Sequence, residues 1–144
     1  PHVHPIQTER FEVTAGRMRF RVGLRTIVAG VGDVVEVAPG VMHSFANAGD
    51  DEAHFVCEVR PALQFESLLE TMFALAADGK TNRKGMPNPL RLAVIANAHF
   101  DTVQLPFPPA MLQRVALAMG APVGKLCGYA PTYIPVAEAA AATA

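Results

Sequence analysis

Apolar and polar positions alternate through the first 60 residues of the chain. Over residues 9–15, Phe11 and Val13 fall on one side and Arg10, Glu12 and Thr14 on the other, a period of two that predicts a half-buried strand. A turn at Thr14-Ala15-Gly16 leads into a second alternation, where Met18, Phe20 and Val22 interleave with Arg17, Arg19 and Arg21. One face of this hairpin is expected to be buried and the other wet. Further strands are predicted over 24–28, 34–37, 43–48 and 53–59. They are separated by Gly23, Gly30-Val31-Gly32-Asp33, Pro39-Gly40 and Gly49-Asp50-Asp51, residue types that favour turns. Short strands at close intervals are the pattern of a sandwich or barrel.

The period changes at Pro61. Leu63, Phe65, Leu68, Leu69, Met72, Phe73 and Leu75 recur at helical spacing through Ala76, which predicts an amphipathic helix. A polar, basic loop over 78–89 follows. A second helix is expected over 90–99, with Pro89 suited to its start, and a third over 110–119, stopped by Gly120 and Pro122. The resulting organisation is a β core over 1–60, a helical extension over 61–135 that packs on the core or on a dimer interface, and a loose Ala-rich tail over 136–144. The chain opens on Pro1, so N-terminal strands are expected to be missing, as in a fragment of a longer protein.

Size and composition narrow the function classes. The 144 residues suffice for one ordinary domain. A net charge of −1 and a 51% hydrophobic content give no reason to expect a nucleic-acid partner. Cys57 and Cys127 do not form a disulfide framework, and no apolar run approaches the roughly 20 residues a membrane span needs. A cytoplasmic, reduced protein without a membrane partner is the expectation.

His2, His4 and Glu9 cluster at the start, and His43 stands where a fourth ligand from another strand is expected. Three imidazoles and a carboxylate suit a divalent first-row metal. His2 and His4, two apart, share one face of an extended strand. Glu9, five residues beyond His4, would point the opposite way unless the phase is reset. Pro5 supplies the reason for a bend there.

These residues resemble two motifs of the cupin superfamily. His2, His4, Glu9 and Gly16 match its first motif, His-x-His, four residues, Glu, six residues, Gly. Gly32, Gly40, His43 and Asn47 hold their places in the second, while Ala38 stands where the family usually has proline, with Pro39 next to it. The glycine that normally precedes the first histidine is absent, because the chain begins too late. Residues 61–135 resemble the helical tail of small bacterial single-domain cupins. The resemblance implies a mainly β fold, a jelly-roll β-barrel followed by two or three C-terminal α-helices, and a homodimer. It also implies one divalent transition metal (Mn, Fe, Ni, Cu, Co or Zn) held by His2, His4, Glu9 and His43, with coordination positions left open for a small-molecule substrate.

The expected activity is that of a metal-dependent oxygenase acting on a small oxygen-rich organic molecule. Isomerisation or C–C cleavage on the same Lewis-acid site, and non-catalytic binding of a small ligand, are the alternatives, and no catalytic residue is assigned. Among the remaining polar residues, Asn47 is expected to fasten its turn and His54 to face solvent. Glu58 and Arg60 are expected to form a surface pair, and His99 to interact with a helix dipole. Cys57 is expected in the core. Gln7 is either a hydrogen-bond partner of the ligand set or exposed, and Lys80, Arg83 and Lys84 are either a solvated loop or a lid.

Overall fold

A computed structural model of the chain describes residues 1–135; the tail over 136–144 lies outside the described residues. The chain forms two compact units. The first comprises Pro1–Leu63 with Asp101–Phe107, the second Gln64–Phe100 with the described residues from Pro108 onward.

The first unit carries six strands: β1 (Thr8–Ala15), β2 (Met18–Val22), β3 (Arg25–Ala29), β4 (Val34–Val37), β5 (His43–Asn47) and β6 (His54–Arg60). They form two antiparallel three-stranded sheets, ordered β4-β1-β6 and β3-β2-β5. Both sheets obey the alternation read from the sequence. Phe11 and Val13 from β1, Met18 and Phe20 from β2, Ala29 from β3 and Val35 and Val37 from β4 make one buried cluster. The Phe11 and Phe20 rings meet across the sheets at 5.1 Å. Arg19 and Arg21 point outward. The arrangement is that of a jelly roll, but among the described residues the sheets do not close into a continuous barrel. Cys57, expected in the core, is instead exposed, because β6 is an edge strand with no neighbour beyond it.

The second unit holds α1 (Phe65–Ala77), α2 (Pro89–Ala98) and α3 (Ala110–Leu126). Pro89 occupies the first turn of α2, and Asn88 caps it by accepting a hydrogen bond from the Arg91 amide at 2.9 Å. Two boundaries differ from the sequence reading by more than one residue. Leu63 adopts a positive φ of 48°, so α1 starts only at Phe65. α3 runs through Gly120 and Pro122 to Leu126 rather than ending at Met119. The reason is tertiary: a Cβ on Gly124 would lie 2.5 Å from the Leu90 carbonyl oxygen, so the glycine allows α3 to approach α2 closely. Packing at that crossing offsets the intrinsic helix penalties of about 1 kcal/mol for glycine and about 3 kcal/mol for proline.

Gly16 joins β1 to β2 at φ 67°, and a Cβ there would lie 2.7 Å from the Glu52 carbonyl oxygen. Gly32 has φ 86° but open space around its Cα. Both positions disfavour a side chain by about 1–2 kcal/mol, and Gly16 adds a backbone collision of similar size. In thermal or urea unfolding, Gly16→Ala is therefore expected to destabilise by about 2 kcal/mol or more, and by more than Gly32→Ala. Equal losses would show that the close approach at Gly16 carries no weight.

Candidate metal centre

The first four residues are held on both sides. His2 exchanges two backbone hydrogen bonds of 3.0 Å with His43, and Val3 exchanges two of 2.9 Å with Gln104. A chain end paired in this way does not fray. The backbone then bends at Pro5 and Ile6, and the Gly40 amide donates to the His4 carbonyl at 2.8 Å. The bend resets the side-chain phase before β1, so that Glu9 joins Phe11 and Val13 on the inward face. Glu9 lies between Val37 and Val59 in the middle strand of its sheet. His43, at the start of β5, faces it from the other sheet.

All four residues named from the sequence come together, their ligand atoms within 4.8 Å of one another. His2 Nε2 lies 3.1 Å from His4 Nε2, and His4 Nε2 lies 3.3 Å from Glu9 Oε1. His43 Nε2 lies 2.5 Å from Glu9 Oε2. Donors at about 2.1 Å from a common octahedral ion are about 3 Å apart when adjacent, which the 3.1 and 3.3 Å separations match, while Glu9 and His43 would have to part slightly to admit an ion. His4, Glu9 and His43 are 2–3% exposed, which leaves water little room to solvate them.

The hydrogen bonds dictate where the lone pairs point. His4 Nδ1 faces the Thr102 carbonyl oxygen at 2.6 Å and Gln7 Oε1 at 3.1 Å. Neither oxygen has a proton to give, so Nδ1 carries the hydrogen and Nε2 of the neutral ring presents a lone pair to the centre. His43 Nδ1 likewise donates to the Val41 carbonyl at 3.0 Å. With its Nδ1 hydrogen committed to Val41, the neutral His43 ring turns a lone pair toward Glu9 Oε2, so two acceptors face each other and neither has a hydrogen-bond partner. Buried polar atoms left this way are costly. A shared cation would remove that cost, and the donor set fits one.

Protonation follows the same geometry. Burial drives the Glu9 carboxyl upward, but contacts from His4 and His43 outweigh it and hold the pKa at about 2. Burial also opposes a charge on His4, yet Glu9, the Thr102 carbonyl and Gln7 raise its pKa above 6.5. His2 is lowered to about 4, by burial first and then by His43 and His4. His4 is thus the imidazole on which a proton can stand in for a metal.

Around the centre, Phe11 lies 6.4 Å from the His43 ring and packs with Phe45 and Phe55 at 5.5 and 5.7 Å. Cys57 Sγ donates to Glu9 Oε1 at 3.7 Å. Although the residue is exposed as a whole, partial desolvation of the sulfur on its Glu9 side and the adjacent carboxylate push this thiol up to about 12. Gln7, left open between two readings, is buried and bonded to His4. Thr102 and Gln104 were not legible beforehand. Thr102 contributes a backbone carbonyl from 98 residues away, for which no local sequence signal exists.

The other singled-out residues have ordinary roles. Asn47 fastens its turn, donating to the Asp51 carbonyl at 2.7 Å and accepting from the Gly49 amide at 2.9 Å. His54 is exposed beside Glu52, and Glu58 pairs with Arg60 at the surface. His99 Nδ1 donates to the Ile95 carbonyl in the last turn of α2 at 2.9 Å. Lys80 is engaged within the second unit by Tyr133 and Asp78.

A family model described as "Cupin domain" matches residues 1–59. No curated protein matches the chain. Among solved structures, an uncharacterised conserved protein with a double-stranded β-helix domain from Klebsiella pneumoniae is 28% identical. That match covers 43% of this chain and 55% of the other, with a TM-score of 0.41. An oxalate oxidase in complex with the substrate analogue glycolate is 19% identical, covering 85% of this chain and 56% of its own, with a TM-score of 0.38. An oxalate decarboxylase is 26% identical over 53% of this chain and 23% of its own, with a TM-score of 0.37. The chain therefore spans about half the length of the first two or less than a quarter of the third. Residues 1–59, with the four donor side chains gathered between two antiparallel sheets, match the cupin domain.

Proposed function

We propose that this chain is a metal-dependent cupin enzyme of the oxygenase type, acting on a small oxygen-rich organic molecule. The observation that supports the reading is the burial of four converging donors, His2, His4, Glu9 and His43, with a carboxylate oxygen and an imidazole nitrogen left without hydrogen-bond partners. A bound divalent transition metal (Mn, Fe, Ni, Cu, Co or Zn) would supply Lewis acidity and, for the redox-active ions, a route for electrons to dioxygen.

The chain's own residues set the terms of that chemistry. Three neutral imidazoles and the Glu9 carboxylate leave a single net positive charge on a divalent site, which attracts anionic or enolisable substrates. Phe11 places an apolar ring beside His43 and packs in turn on Phe45, which contacts Phe55, so apolar surface borders the centre on that side. The Cys57 thiol, with its pKa at about 12, stays protonated at neutral pH and does not compete as a thiolate nucleophile. Isomerisation or C–C cleavage at the same site is the second reading, and small-ligand binding without turnover the third. The reading includes a homodimer, supported by the exposed Ile27 and Val28 on the edge strand β3. Among the described residues no helix is long and apolar enough to cross a membrane.

Elemental analysis of freshly purified protein should find one transition metal per chain, lost in His43→Ala. Unchanged stoichiometry in the variant would remove the site. With a catechol and a 1,3-diketone as probes, dioxygen uptake supports the oxygenase, and product without uptake favours the isomerase or lyase. A ligand-raised melting temperature without turnover favours a binding module.

Metal binding must also expel the proton that His4 favours. Because the His4 pKa is raised above 6.5, Co(II) affinity should already fall as pH drops from 8 to 6, the slope approaching about tenfold per unit for one displaced proton once pH lies below that raised pKa. His2, at about 4, should add a second loss only in more acidic solution. An affinity independent of pH between 6 and 8 would contradict this ordering.

A further inference from the structure

Gln7 is 1% exposed on the bend between His4 and β1, and every polar atom of its side chain is committed. Its Nε2 donates to the Pro61 carbonyl at 2.9 Å and to the Ala62 carbonyl at 3.1 Å. Turning the amide over would set its oxygen against both carbonyls and its NH2 against the His4 ring hydrogen. The two donor bonds therefore fix Oε1 toward His4 Nδ1 at 3.1 Å. His4 Nδ1 is shared between that oxygen and the Thr102 carbonyl at 2.6 Å, so acceptors from two separate stretches of chain hold the ring. His43 is oriented differently, by the Val41 carbonyl from its own approach to β5.

We propose that Gln7 is a positioning residue for the metal centre, its amide oxygen holding His4 with Nδ1 protonated and Nε2 aimed at the ion. The inference rests on the metal-site reading above. An acceptor on the outer nitrogen of a ligating histidine fixes the ring's direction and makes the inner nitrogen a better donor. Gln7 also ties the joint at residues 61–62 to the site, which is a structural role. The two roles separate because they use opposite ends of the same amide.

The test is competition titration with Co(II) on wild type, Gln7→Met and Gln7→Glu, together with the metal-free melting temperature and the visible Co(II) spectrum of each. Gln7→Met keeps the side-chain length but removes both the acceptor and the donors. Gln7→Glu removes the donors and keeps an acceptor facing His4. Positioning predicts that both variants melt lower without metal. It further predicts that Gln7→Met alone loses about 10- to 100-fold in affinity, with altered Co(II) bands, while Gln7→Glu stays within about threefold of wild type. Equal affinity in all three proteins, or an equal fall in both variants, would overturn the proposal and leave Gln7 as a tie to residues 61–62. If Gln7→Glu shows no cooperative melting, Gln7→Met and Gln7→Leu decide. Weakened binding with shifted bands in folded protein supports positioning, and wild-type bands and affinity overturn it. Failure of wild type to bind Co(II) is a separate result, which overturns the metal-site reading and the proposal with it.

Discussion

Lone pairs that converge in a buried space repel one another unless something positive stands between them. At this centre His4 and His43 are each tethered through Nδ1, which turns Nε2 inward, and Glu9 adds a carboxylate between them. In water such a group would be screened; at 2–3% exposure it is not. Either a proton or a metal ion must occupy the centre. The raised pKa of His4 is the trace of that demand when the proton fills it.

The rest of the first unit serves this convergence. Glu9 sits on a middle strand, where pairing on both sides fixes its register. His43 begins β5, and the residues that carry His2 and His4 are pinned between His43 and Gln104. The phenylalanine cluster spanning the two sheets sets their separation, and the distance from Glu9 to His43 depends on it. A cavity beneath Phe11 would thus disturb both stability and the spacing of the donors.

Much of this was legible in the sequence because it depends on local rules. Period-two alternation located the strands, and the His-x-His pair, the bend at Pro5 and the turn before His43 located the four donors. What escaped depends on distant contacts. The end of α3 could not be read at Gly120 and Pro122, since α2 packs against Gly124 and sustains the helix past them. Cys57 has the alternation of a core residue, but its strand lies at an edge, which pattern does not encode. The Thr102 carbonyl and the Gln104 backbone reach the site through pairing that leaves no mark on side-chain identity. Gln7 was ambiguous for a related reason. A glutamine on a bend is equally compatible with solvent, and only the folded joint at 61–62 shows that it is buried.

X-ray absorption at the metal edge of the cobalt-loaded protein bears most directly on whether these four side chains share one ion. The account predicts a first shell of nitrogen and oxygen at about 2.1 Å, with the outer-shell scattering of three imidazoles. A shell of oxygen alone, or scattering from no more than one imidazole, would contradict it.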